Sequence, residues 1–267
     1  MKVIERDSVL LHVRESGDRW GQPVVFANSL GTDYRLWDAV LPLLPEGLRI
    51  IRFDKRGHGL SSCPGDSWSM NELIDDCAHI LRELEVSSCF FVGLSIGGLI
   101  AQGLAAKHRT LLDAMVISNT AARIGTEAMW QERIDAVQTG GIEALADAVL
   151  ERWFSRDFHT SRGAELQLWR NMLTRTPDNG YIGCSRAIAG ADFTDSNATL
   201  KLPTLAIAGD EDGSTPPDVV RATAEGIAGA QFALVEGAGH LPCVEKPQIY
   251  AGLLVDFMRH SGWLAAN

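Results

Sequence analysis

Short apolar runs rich in β-branched residues alternate with helically spaced stretches through the first 118 residues. Val9–Val13, Val24–Ala27, Arg49–Phe53, Cys89–Val92 and Leu112–Ser118 read as strands. Between them, Leu36, Val40, Leu43 and Leu44 recur at helical spacing. Ser69, with Glu72 three residues on, predicts a capped helix running to about Leu84, and Ile96–Lys107 predicts another. Strands that are almost continuously apolar are buried on both faces. The alternation therefore predicts a mostly parallel sheet covered by helices on both sides.

The pattern changes after residue 118. Strand signals vanish and helical patterns follow one another at Glu127–Thr139, Ile142–Phe154, Arg162–Thr174 and near Tyr181–Ala189. Three of the seven tryptophans (Trp130, Trp153 and Trp169) fall there. Strands resume at Thr204–Ala208 and Phe232–Val235, and a helix from Pro247 to about His260 follows. The division is thus a core formed by residues 1–118 and 201–267, with residues 119–200 a helical lid inserted between two strands.

Composition narrows the function. The net charge is −10, which argues against nucleic acid because phosphate binding needs a concentrated positive surface. The same charge repels an anionic substrate at long range, so any carboxylate must be recognised by a few local arginines or lysines. The five cysteines are scattered and show no metal spacing, which fits reduced thiols and a cytoplasmic location. Met1–Asp7 lacks the apolar run of a signal peptide, and no stretch approaches the roughly 20 apolar residues of a membrane span. Neither a metal nor an organic cofactor is expected. A homo-oligomer is left open.

The candidate nucleophile is Ser95, in Gly93-Leu94-Ser95-Ile96-Gly97 between an apolar strand and an apolar helix. A G-x-S-x-G pattern there forms a sharp turn that lifts the hydroxyl above the sheet. The N–H of Ile96, at the helix start, then points at a developing oxyanion. Without that setting the pattern is weak, since a glycine-rich βα turn can carry an idle serine.

A serine hydroxyl needs a base. Of seven histidines, His240 stands in a glycine-rich turn just after a strand, where open α/β sheets place their sites. His12, His79, His108, His159 and His260 read as surface or packing residues. Three carboxylates, Asp210, Glu211 and Asp212, follow the preceding strand. Asp212 fits best, lying past the strand end and before a proline that starts the next helix; the other two read as turn and surface residues. The order Ser…Asp…His is the one that goes with this type of nucleophile turn. A second oxyanion donor should come from Asn28–Thr32, with the N–H of Leu30 the natural candidate.

With these motifs and the block Asp54-Lys55-Arg56-Gly57-His58-Gly59-Leu60-Ser61, the chain resembles the α/β-hydrolase superfamily over essentially its whole length. The resemblance implies an eight-stranded, mostly parallel sheet with helices on both faces, a helical lid, and a Ser95–Asp212–His240 triad. It makes the 54–61 block a structural turn and His58 a scaffold residue. Many members carry His-Gly where this chain has Asn28-Ser29. The peptide Asn28–Thr32 instead resembles the 3-oxoadipate enol-lactonases of bacterial aromatic degradation, as do Ser118–Ala122, Trp130–Ile134, the Gly140-Gly141 turn and Arg152–Phe154.

That resemblance implies hydrolysis of a small anionic lactone through an acyl-enzyme. Trp130 and Arg133, three apart on one predicted helix, share a face. Arg133 would pair with the carboxylate while Trp130 walls the pocket. The plainer alternative makes them lid core and a surface salt bridge, and Arg123 and Arg152 are rivals. A carboxylesterase, a perhydrolase or a carbon–carbon bond hydrolase would use the same triad, and a ligand receptor on the same scaffold is a non-enzymatic alternative. The serine argues against the aspartate-nucleophile dehalogenases and epoxide hydrolases.

Overall fold

The computed structural model describes residues 1–265, so the last two residues of the predicted 201–267 core segment lie outside the described residues. Eight strands form one sheet: β1 (Lys2–Arg6), β2 (Val9–Gly17), β3 (Gln22–Ala27), β4 (Leu48–Phe53), β5 (Cys89–Leu94), β6 (Leu112–Ser118), β7 (Thr204–Gly209) and β8 (Gln231–Val235). Their spatial order is β1-β2-β4-β3-β5-β6-β7-β8. Only the β1–β2 and β2–β4 pairings are antiparallel. Every residue of β5 is buried. Because successive side chains point to opposite faces, this central strand is covered on both.

The helices of the core are α1 (Met70–Glu83) and α2 (Ile96–Lys107). The capping box of Ser69 and Glu72 forms as the sequence predicts. Between β6 and β7 lie α3 (Glu127–Gly140), α4 (Ala146–Trp153), α5 (Arg156–Ser161), α6 (Gly163–Thr174), α7 (Asp178–Ala189) and α8 (Thr194–Asn197). The chain returns with α9 (Pro217–Glu225), α10 (Pro242–Glu245) and α11 (Pro247–His260). β6 and β7 pair directly, with Met115 opposite Thr204, so the intervening helices leave the sheet unbroken.

Four local expectations change. β1 has no strong sequence signal: it is a five-residue edge strand with a single buried position, Ile4. The helical spacing at Leu36–Leu44 yields two short 3-10 turns, Tyr34–Trp37 and Leu41–Leu43, because Pro42 and Pro45 interrupt a longer helix. The predicted Ile142–Phe154 helix opens as a 3-10 turn and becomes α-helical only at Ala146. Finally, α5 sits where no helix is expected, capped by Ser155, whose side chain accepts from the Phe158 N–H.

Candidate active site

Ser95 sits between the end of β5 and the start of α2 with φ +59° and ψ −119°. A non-glycine residue is rarely held there, and such strain persists only where the surroundings enforce it. Here they do. The Ser95 N–H donates to the Ser118 carbonyl (2.9 Å), and its own carbonyl accepts from Gly98 N (2.8 Å) and Thr120 Oγ1 (2.8 Å). The flanking glycines are a packing requirement. A Cβ on Gly93 would lie 2.1 Å from the Gly97 carbonyl oxygen, and one on Gly97 would lie 2.2 Å from that of Ala27.

His240 and Asp212 are brought together from the loops after β8 and β7. The imidazole Nδ1 lies 2.9 Å from Asp212 Oδ2 and 3.1 Å from Oδ1, with both side chains buried. Asp212 also accepts from Ser214 N (2.7 Å), Thr215 N (3.0 Å), Thr215 Oγ1 (2.8 Å) and Asn119 Nδ2 (2.9 Å). Burial alone would raise its pKa. His240 and these donors outweigh burial and hold the carboxyl below the usual aspartate range. A carboxylate fixed in this way orients Nδ1–H of the imidazole and leaves Nε2 as the basic atom.

Asp210 instead accepts from the Ala238 N–H (3.2 Å), and Glu211 from the Arg156 N–H (3.1 Å). Both tie loops together and neither touches the imidazole. The sequence alone does not single out Asn119 or Thr215 as partners of Asp212. Asn119 lies within Ser118–Ala122, whose resemblance to the enol-lactonases was the available signal.

Ser95 and His240 open onto a common cavity of about 90 Å³. No hydrogen bond joins Ser95 Oγ to a described residue; bonds of this kind tighten when substrate binds. Leu30 lines the cavity, whereas the Ile96 side chain is buried in the core. Among the described residues, no protein acceptor takes the N–H of Leu30 or of Ile96.

The Asn28–Thr32 loop is held from beneath by the Asp54–Ser61 turn. Asn28 donates to the Phe53 carbonyl (2.8 Å) and accepts from Trp37 Nε1 (2.8 Å). The buried His58 accepts the Gly31 N–H at Nε2 (2.9 Å). Burial, and next the charge of Lys55, keep this imidazole well below the usual histidine range, so it is neutral and able to accept. Asp54, paired with His12 at 2.8 Å, braces the turn.

Trp130 and Arg133 also line the cavity. Trp130 is buried, donates Nε1–H to the Ile124 carbonyl (2.7 Å), and carries the Arg133 guanidinium 4.6 Å from its ring centroid. Arg152 joins them from the end of α4. Neither arginine makes an ion pair among the described residues, and the buried Arg152 Nε has no hydrogen-bond partner there. Burial, then repulsion from Arg133, lowers the Arg152 pKa. The single cation expected from the sequence is therefore a pair. Arg123 is largely exposed and lies beside Asp192 (3.9 Å).

Larger clefts exist, one of about 440 Å³ beside Trp169, but none of them contains Ser95 or His240. No helix among the described residues is long and apolar enough to cross a membrane.

Comparison with known proteins agrees with this architecture. The chain is 31% identical over 257 residues to 3-oxoadipate enol-lactonase 1 of Acinetobacter baylyi, with 96% of each chain covered. It is 30% identical over 227 residues to enol-lactonase 2 of the same organism, with 85% of each covered. Among solved structures, the enol-lactonase of Burkholderia xenovorans LB400 superposes with a TM-score of 0.93 at 34% identity, covering 96% of this chain and 99% of that one. A family model for the alpha/beta hydrolase fold matches residues 22–247. The chain is a hydrolase belonging to the α/β-hydrolase fold family.

Proposed function

We propose that the chain hydrolyses 3-oxoadipate enol-lactone to 3-oxoadipate, a step in bacterial aromatic-compound degradation, with Ser95, His240 and Asp212 as its triad. Ser95 Oγ attacks the lactone carbonyl while His240 Nε2 takes its proton. Asp212 holds the imidazole tautomer and stabilises the imidazolium. The tetrahedral oxyanion rests on the N–H groups of Leu30 and Ile96. The ring C–O bond breaks, and the enol oxygen leaves with the proton from His240. The enol then becomes the ketone. Water, deprotonated by His240, attacks the acyl carbonyl, and Ser95 leaves with that proton. These steps call for no cofactor.

The observation that carries the substrate assignment is the pair Arg133 and Arg152 beside Ser95, without carboxylate partners. Two guanidinium groups in one small cavity repel each other, and an anionic ligand relieves that cost. Residues 119–200 act as the lid over this cavity, with Trp130 as a wall. The likeness to enol-lactonases supports the same reading, and a cytoplasmic location suits such a substrate. The test is a substrate panel followed by ultraviolet absorbance. The highest kcat/KM is expected on the enol-lactone, and a tenfold preference for neutral esters overturns the assignment in favour of a general carboxylesterase.

A further inference from the structure

Lys55 is 3% exposed and has no carboxylate at hydrogen-bond distance. Its ammonium donates instead to two main-chain carbonyls of the loop above it, those of Ser29 (2.6 Å) and Thr32 (3.3 Å). The nearby acids are engaged elsewhere. Asp33 binds Arg35 (2.6 Å), while Asp54 binds His12 (2.8 Å) and the N–H groups of Tyr34 (2.8 Å) and Leu60 (3.0 Å). Burying an ammonium this way is costly, whereas an apolar side chain would fill the same space without that cost. The position of Lys55 therefore calls for an explanation beyond packing.

The peptide it grips supplies one. The Ser29 carbonyl and the Leu30 N–H belong to the same planar unit, and in a trans peptide they point in opposite directions. A donor on the carbonyl side fixes the direction of the N–H on the other. A charged donor also polarises the peptide and strengthens that N–H as a hydrogen-bond donor.

We propose that Lys55 is a positioning residue of the oxyanion hole: its ammonium grips the Ser29–Leu30 peptide from behind, aiming and polarising the Leu30 N–H toward the oxyanion formed at Ser95. The proposal rests on the reading of Leu30 as an oxyanion donor. Lys55 touches neither substrate nor nucleophile. Its partner in the clamp is His58, which accepts the next N–H, that of Gly31 (2.9 Å).

The clamp has a pH signature. Burial lowers the Lys55 pKa to about 8, against the opposing pull of Asp54 on its own turn and Asp33 after the loop; the Cys184 thiol on α7 and His58 also face it. Above that pH the amine is neutral and its hold on the peptide weakens. Stability moves the other way. A lysine whose pKa is lowered by folding binds its proton more tightly when unfolded, so this group makes the fold more stable between pH 8 and its ordinary value.

The experiment uses a neutral nitrophenyl acetate, so that it does not depend on the lactone assignment. Lys55→Met keeps an unbranched side chain, one atom shorter, and removes charge and donor. Direct loss of one oxyanion donor costs about 10²–10³-fold, so removing its support should cost roughly 10- to 100-fold in kcat with KM little changed. Affinity for a trifluoromethyl ketone, which forms a tetrahedral adduct on Ser95, should fall by a similar factor. Wild-type kcat should decline above about pH 8 while thermal stability does not follow it, and Lys55→Met should lack that decline. A kcat within twofold of wild type, or an adduct affinity unchanged, overturns the proposal. Should Lys55→Met not fold, Lys55→Gln and the wild-type pH profile decide: a wild-type kcat flat from pH 7 to 9.5 overturns it equally. An inactive Ser95→Ala beside an unaffected Lys55→Met refutes the clamp alone, whereas an active Ser95→Ala refutes the reading beneath it.

Discussion

Asn119, the first residue after β6, donates its side-chain N–H to Asp212 Oδ2 at 2.9 Å and lies 3.3 Å from the carbonyl of Gly239. One side chain thus spans the two loops that carry Asp212 and His240. Its backbone is left-handed (φ +48°), a conformation asparagine tolerates better than most residues. Asp212 is thereby fixed by partners other than His240.

Asp212→Asn should therefore damage catalysis far more than Asp210→Asn. An amide at position 212 keeps the space but favours the wrong imidazole tautomer, which in such triads costs about 10⁴-fold in kcat. Asp210→Asn at most weakens support of the Ala238 N–H, since the amide keeps an acceptor oxygen. Steady-state kinetics on one ester compare the two, and greater damage from Asp210→Asn moves the acid to that position.

The same carboxylate gives stability a pH dependence. Its pKa is lowered by folding, so its contribution is complete above the unfolded value and is lost as pH falls through the folded one. The stability gap between wild type and Asp212→Asn should narrow below about pH 4. Urea midpoints at pH 7 and pH 3 measure it, and a gap that widens in acid contradicts the sign.

Ser95→Ala should lower kcat by about 10³-fold or more while leaving the thermal midpoint nearly unchanged. The bonds that enforce the turn are made by the Ser95 main chain and survive the substitution. Retention of a tenth of the activity removes Ser95 from the mechanism.

Arg133→Ala and Arg152→Ala should each impair the carboxylate-bearing lactone more than a neutral nitrophenyl ester. A charge-assisted hydrogen bond contributes about 1.5–3 kcal/mol, a selective loss of roughly 10- to 150-fold. Equal losses on both substrates assign the arginine a structural role instead.

Glu245→Ala should lower stability and kcat together. Its buried carboxylate accepts from Gly239 N (2.6 Å), Ser155 N (3.1 Å) and Ser155 Oγ (2.5 Å). Unsatisfied buried donors cost about 1–3 kcal/mol each, and Gly239 adjoins His240. A thermal midpoint within one degree of wild type shows that the donors find other partners.

The parallel core was legible because its strands are buried on both faces and so appear as unbroken apolar runs. β1 was not, since a short edge strand with one buried side chain carries no such run. Ser95, Asp212 and His240 were readable as candidates because each sits at a turn whose chemistry is local. Arg152 was harder: it belongs to the cavity only because α4 ends there, a tertiary fact that spacing along one helix does not contain. Lys55 and Asn119 were hidden more deeply, since both act on main chain or side chains far away in sequence.

The turn at residues 152–156 gives the inserted helices an unusual standing. His240 N–H donates to the Trp153 carbonyl (2.8 Å), Gly213 N–H to that of Arg152 (3.3 Å), and Ser155 closes on Glu245. In connectivity the insertion is a cassette that begins after β6 and ends before β7. Mechanically it is not, because the loops that carry Asp212 and His240 both hang on its middle. A chimera that exchanges the whole segment with a relative's would import a new frame for Asp212 and His240. Transplanting α3, α6 or α7 while keeping 152–156 native changes what the cavity admits and leaves that frame in place.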